Sequence, residues 1–183
     1  MPAAVSFIAV PGGLGLAILG VVARKRHQQL FLHLLTLGTW AGLLGTCAYD
    51  GWRWLAQSTG WFAYDGFRAI PIFGSLMLGL PAADLAAQVA GWFYHFWNGI
   101  SFGIFYALIA GPAKWPWGLA WGMSLEGLMI LSYPALFGVP LSNVSFWAIS
   151  LSGHAVYGTV LGLLVQRHSA LTGQSPGAKW FKR

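Results

Sequence analysis

The chain has 183 residues, of which 57% are hydrophobic and 8% charged, and its formal net charge is +6. A soluble domain carries about 25% charged residues, so the composition excludes an ordinary soluble domain and points to a single all-α, polytopic transmembrane bundle. The positive balance does not mark a nucleic-acid binder, because the basic residues flank apolar runs instead of forming a patch.

No Asp, Glu, Lys or Arg occurs in 1–23, 30–49, 85–113 or 127–166. About 20 apolar residues suffice to cross hydrocarbon, and the runs predict five spanning helices near 4–22, 30–49, 89–110, 118–138 and 145–166. Together they make one helical domain over 1–168, followed by a basic tail over 169–183. The first apolar segment lacks a preceding basic region, and its positive charges come after it. It therefore reads as a retained anchor with its N-terminus outside.

Arg24, Lys25 and Arg26 follow the first span, Lys114 follows the third, and Arg167, Lys179, Lys182 and Arg183 follow the last. Five spans place all of these on the cytoplasmic side and leave only Arg53 and Arg68 outside, the bias expected of cytoplasmic loops. Cys47 is the only cysteine, which rules out an internal disulfide and fits a small apolar residue in a helix.

Residues 50–88 read as an external segment that lies on the membrane or partly re-enters it. A sixth span through 70–86 is the rival, but Pro71 and Pro81 interrupt it and Asp84 closes it. The segment opens with Tyr49-Asp50-Gly51-Trp52-Arg53, which returns as Tyr64-Asp65-Gly66-Phe67-Arg68. Tyr and Trp collect at the headgroup layer. Asp and Arg three apart can pair on a helix. Tyr49, Asp50, Arg53, Tyr64, Asp65 and Arg68 are therefore interface anchors or a polar site facing a ligand or partner subunit.

A second repeat lies within the spans. His95, Gly99 and Gly103 form H-x-x-x-G-x-x-x-G, as do His154, Gly158 and Gly162. Steps of four put each set on one helix face, and small residues at that spacing let helices approach closely in lipid. The two histidines should lie at similar depth. They either hydrogen-bond across a helix interface, with Asn98, Ser101, Ser150, Ser152 or a carbonyl as partner, or ligate a haem, pigment or metal, or line a solute or proton path.

Glu126 stands inside the fourth expected span, flanked by Gly122 and Gly127. Carboxyl groups in hydrocarbon are costly, which makes them functional candidates by default. Glu126 could donate to a neighbouring helix when protonated, relay a proton or ligate a cation. Pro134 and Pro140 are expected to end this span, with Ser142 or Asn143 as N-cap of the next helix.

The order "YDGWR" (49–53), "HFWNGISFGIFYAL" (95–108), "WGLAWGMSLEGLMILSYPALFG" (117–138) and "GHAVYGTVLGLLVQR" (153–167) resembles the YagU-type family of small bacterial inner-membrane proteins of unknown function. The resemblance covers about 40–167 and leaves 4–22 as an addition. Its further histidine near Leu131 or Ser132 is absent here. It implies a helical inner-membrane bundle and transfers no catalytic residue, while the charge bias sets the N-terminus outside and the C-terminus in the cytoplasm.

Three functions follow from these features. Abundant glycine and aromatic surface suggest a non-enzymatic accessory or scaffold subunit, in a homo-oligomer or a larger membrane complex within the lipid bilayer. Glu126, His95 and His154 suggest a small-solute or proton carrier. The two histidines alone suggest a haem- or pigment-binding electron-transfer subunit. An enzyme is not expected: the sequence has no nucleophile elbow, and Ser152 and His154 on one helix point apart.

Overall fold

The computed structural model describes residues 28–60, 62–110, 113–137 and 142–171, and the expected first span, the rest of the C-terminal tail and Trp61 lie outside them. The described chain is all helical. Five helices follow in order: α1 (Gln28–Ser58), α2 (Ala69–Leu78), α3 (Leu85–Ala110), α4 (Trp115–Phe137) and α5 (Val144–Leu171). Two stretches are long and apolar enough to cross a membrane, Phe31–Ser58 with mean hydropathy 1.3 and Val144–His168 with 1.5. Five spans of that quality are not supported among the described residues.

Several boundaries differ from expectation. The helix expected over 30–49 continues to Ser58, so Asp50 and Arg53 stand on α1 and do not begin a loop. The ion pair between them, three residues apart, ties these last turns together. The 70–86 stretch holds most of the 10-residue α2 and the first two residues of α3, and α2, about 15 Å long, is too short to span hydrocarbon. It ends at Gly79, whose φ of 70° is a left-handed cap. Pro134 lies within α4, which continues to Phe137. Asn143 does cap α5, its side-chain oxygen accepting from the Phe146 amide at 2.9 Å.

Glycine decides how the helices pack. A Cβ on Gly38 would sit 2.5 Å from the Ile104 Cα, and one on Gly42 would sit 2.6 Å from the Gly99 carbonyl oxygen. These contacts make an antiparallel seam in which Gly38 and Gly42 of α1 face Gly99 and Gly103 of α3. A second seam sets Gly118 and Gly122 of α4 against Gly158 and Gly162 of α5, and a third sets Gly74 of α2 against Ala87 and Gly91 of α3. Close backbone approach is how helices associate where no hydrophobic driving force separates helix from lipid.

α1 also packs antiparallel on α5, through Gly45 on Tyr157 and Tyr49 on Gly153. The core between them holds Ala41, Tyr157, Leu161 and Val165. The order across the molecule is thus α2, α3, α1, α5, α4, and α3 and α4 barely touch. The α1–α3 and α4–α5 pairs follow one plan. The first helix carries glycines four apart and then an acid, Asp50 or Glu126. The second carries His-x-x-x-Gly-x-x-x-Gly.

A candidate site of two acid–imidazole pairs

The α1–α3 and α4–α5 seams each end at a carboxylate facing an imidazole. Beyond Gly42 and Thr46 the next turn of α1 brings Asp50 opposite His95 of α3. The His95 Nε2 lies 3.0 Å from both carboxylate oxygens. Both partners accept, so this nitrogen carries the hydrogen. Beyond Gly122 the next turn of α4 brings Glu126 opposite α5. There the His154 Nδ1 lies 2.8 Å from Glu126 Oε2 and 3.0 Å from the Ser150 carbonyl, and again donates to both. The Ser150 hydroxyl donates to the same Oε2 at 2.9 Å. Glu126 is 1% exposed, and its Oε1 has no hydrogen-bond partner among the described residues.

Tyr49 joins the two pairs. Its ring centroid lies 6.0 Å from that of His95 and 5.0 Å from that of His154. Its hydroxyl is in hydrogen-bonding reach of Ser150. A chain of polar groups therefore runs from Tyr49 through Ser150 and Glu126 to His154. Arg53 closes the other flank. It is 4% exposed, pairs with Asp50, donates to the Gly66 carbonyl, and stacks over Tyr49 at 4.2 Å and Phe67 at 4.5 Å. A cavity of about 90 Å³ opens among Tyr49, Arg53, His95, Asn98, His154 and Tyr157. A water needs about 10–15 Å³ of such space, so several fit.

The two pentads do not act alike. Asp50 and Arg53 pair within the site. Asp65 and Arg68 lie in a turn, where Asp65 accepts from the Phe67 amide and from Gln57, both at 2.9 Å, and Arg68 is exposed. Tyr64 packs edge-on against Phe146 at 5.0 Å, and burial pushes its phenol up. Asn98 lines the cavity, and the four motif glycines line the seams. Ser152 turns away from His154 and accepts the Trp52 indole N–H at 2.8 Å.

Sequence reasoning placed Tyr49 and Asp50 at the external interface and did not bring them to the histidines. It also passed over the partner glycines. Gly38 and Gly42, like Gly118 and Gly122, repeat the small-xxx-small spacing one turn or two before each acid, and that spacing could have paired the helices. A separate imidazole contact, unforeseen, lies at the far end of α1 and α5, where His33 and His168 meet with Nε2 atoms 2.7 Å apart.

Among the described residues no group of three or more His, Cys, Asp and Glu side chains is placed to hold a metal ion. Comparison with protein-family models, curated proteins and solved structures finds no match, and the likeness to the YagU type remains one of motif order.

Proposed function

We propose that the chain is a multi-pass membrane protein and that its two acid–imidazole pairs form the working site of a proton carrier. The observation that carries this reading is the convergence of Asp50–His95 and Glu126–His154, from two helix pairs of one plan, on Tyr49 and one cavity. Secondary transporters are commonly built from repeated halves, with the coupling site where the halves meet. Ionisable groups within a bundle mark ion and proton pathways. Ser150 and His154 both donate to Glu126, Tyr49 packs against both imidazoles, and the adjoining cavity has room for several waters.

The membrane placement draws on α1 and α5. α3 and α4, with 26 and 23 residues, lie along them in glycine seams, so a bilayer crossed by one pair is crossed by both. Exposed Trp40, Trp54, Phe93, Trp97, Trp117 and Leu131 suit lipid contact. The accessory-subunit reading draws less support, because the glycines that suggested a partner are engaged within the chain. The haem or pigment reading must free both imidazoles from their carboxylates first, and a visible spectrum of protein from native membranes tests it.

Proteoliposomes with an imposed pH gradient and an internal pH dye test the carrier. Flux that depends on the protein and is lost in Glu126→Gln and in His154→Ala supports it. Flux indistinguishable from empty vesicles, or unaltered by both substitutions, overturns it.

A further inference from the structure

A second cavity lies between α3 and α4, away from the acid–imidazole site. These helices follow one another in the chain but pack on different neighbours, and a cavity of about 460 Å³ separates them. That is within the range of about 300–1,000 Å³ typical of small-molecule sites. Its wall is mostly apolar, made by Ile109, Ala110, Ala113, Trp117 and Ala120, with Ser124, whose hydroxyl donates to the Ala120 carbonyl at 2.8 Å. Two further lining residues, Tyr106 and Trp121, stand with ring centroids 6.2 Å apart.

The hydrogen bonding of those two residues identifies the occupant. The Tyr106 hydroxyl and the Trp121 indole N–H are buried and have no partner among the described residues, and Tyr106 is only 2% exposed. Buried Tyr O–H and Trp N–H groups almost always find an acceptor, and in hydrocarbon an unmet donor costs several kcal/mol. Both groups have a hydrogen to offer, which an acceptor atom on an otherwise apolar occupant would take. Lys114, exposed, follows Ala113 at the loop end of the cavity and supplies a positive charge there.

We propose that this crevice holds an ester-linked phospholipid, one acyl chain lying between α3 and α4, its ester carbonyl on Tyr106 and Trp121 and its phosphate towards Lys114. The proposal rests on the membrane placement and not on proton transport.

The test is lipid retention. The full chain is reconstituted in nanodiscs of either ester-linked or ether-linked phosphatidylglycerol, extracted in mild detergent, and examined by native mass spectrometry. The ester lipid is expected to stay bound at a stoichiometric level. The ether lipid, lacking the carbonyl, is expected to be retained more weakly. Tyr106→Phe and Trp121→Phe should each lower ester retention by roughly 2- to 10-fold, as the loss of one hydrogen bond does, with helical content unchanged.

Equal retention of the two lipids, or ester retention untouched by both substitutions, overturns the proposal. So does a disulfide between Ala17→Cys and Ala110→Cys in a Cys47→Ser chain, which would put the chain's own first apolar segment in the crevice. Glu126→Gln separates this result from the carrier: it should lower flux by about tenfold or more and leave retention intact.

Discussion

Glu126 and His154 meet across the α4–α5 seam with 2.8 Å between Oε2 and Nδ1. The Ser150 hydroxyl donates to the same oxygen, so one oxygen of the carboxylate takes two hydrogens and the other takes none. That imbalance is costly in an apolar interior. Glu126→Gln keeps the shape and removes the exchangeable charge. It should lower proton flux by about tenfold or more, which corresponds to about 1.4 kcal/mol on the barrier.

Tyr49→Phe separates relay from packing. The substitution keeps the ring contacts with both histidines and removes the hydroxyl facing Ser150. If the hydroxyl passes protons, flux falls while the unfolding midpoint in detergent stays near that of the parent. Unchanged flux with a lowered midpoint would make Tyr49 a packing residue only.

Arg53 anchors the end of α1 to the turn that follows. Its charge is buried against Asp50, the Gly66 carbonyl and two aromatic faces. Removing one member of a buried pair costs about 3–5 kcal/mol, and Arg53→Ala should destabilise by that order in denaturant unfolding. Lysine should restore only part, since it lacks the planar fork. Arg68→Ala, in the other pentad, should stay within about 0.5 kcal/mol. Equal losses at both arginines would refute the distinction between the two copies.

Gly42 of α1 and Gly127 of α4 should respond in opposite directions. A Cβ on Gly42 meets the Gly99 carbonyl at 2.6 Å and the Ile100 Cα at 2.9 Å, both backbone atoms that cannot swing away. Gly42→Ala should cost about 1–3 kcal/mol through overpacking. Gly127, exposed and mid-helix, has nothing within 4 Å of its missing Cβ. Gly127→Ala should stabilise by about 0.5–1 kcal/mol. Unfolding midpoints of the two variants, compared in one detergent, check the sign of each.

The helices were legible in the sequence because uncharged runs and four-residue glycine spacing are local signals. The H-x-x-x-G-x-x-x-G motifs marked the packing faces of α3 and α5 for the same reason. The pairings were not legible. Asp50 and His95 are 45 residues apart and Glu126 and Ser150 are 24 apart, and nothing local says which acid meets which imidazole. Tyr49 read as an interface anchor because an aromatic beside an acid looks the same at a membrane surface and beneath a helix crossing. The doubled pentad misled in a related way. Identical spacing gave an ion pair at Asp50–Arg53, where the helix continues, and a turn at Asp65, where it has ended. His33 and His168 were silent, since a lone histidine in an apolar helix has no pattern around it.

The contact between His33 and His168 sets the start of α1 beside the end of α5. Their Nε2 atoms are 2.7 Å apart, so the start of α1 and the end of α5 share one end of the bundle. Arg24, Lys25 and Arg26 precede the first of these, and Arg167 adjoins the second. α1 is 31 residues long, about 46 Å, against roughly 30 Å of hydrocarbon. On the proposed membrane placement, its far end at Ser58 lies on the opposite face. In a Cys47→Ser chain, Ala23→Cys and Ser169→Cys should react with an impermeant thiol reagent only after the cytoplasmic face is opened. Ser58→Cys should react in intact spheroplasts. Reaction of the first two from opposite faces would mean that α1 and α5 do not cross side by side, and the shared site at Tyr49 would lose its basis.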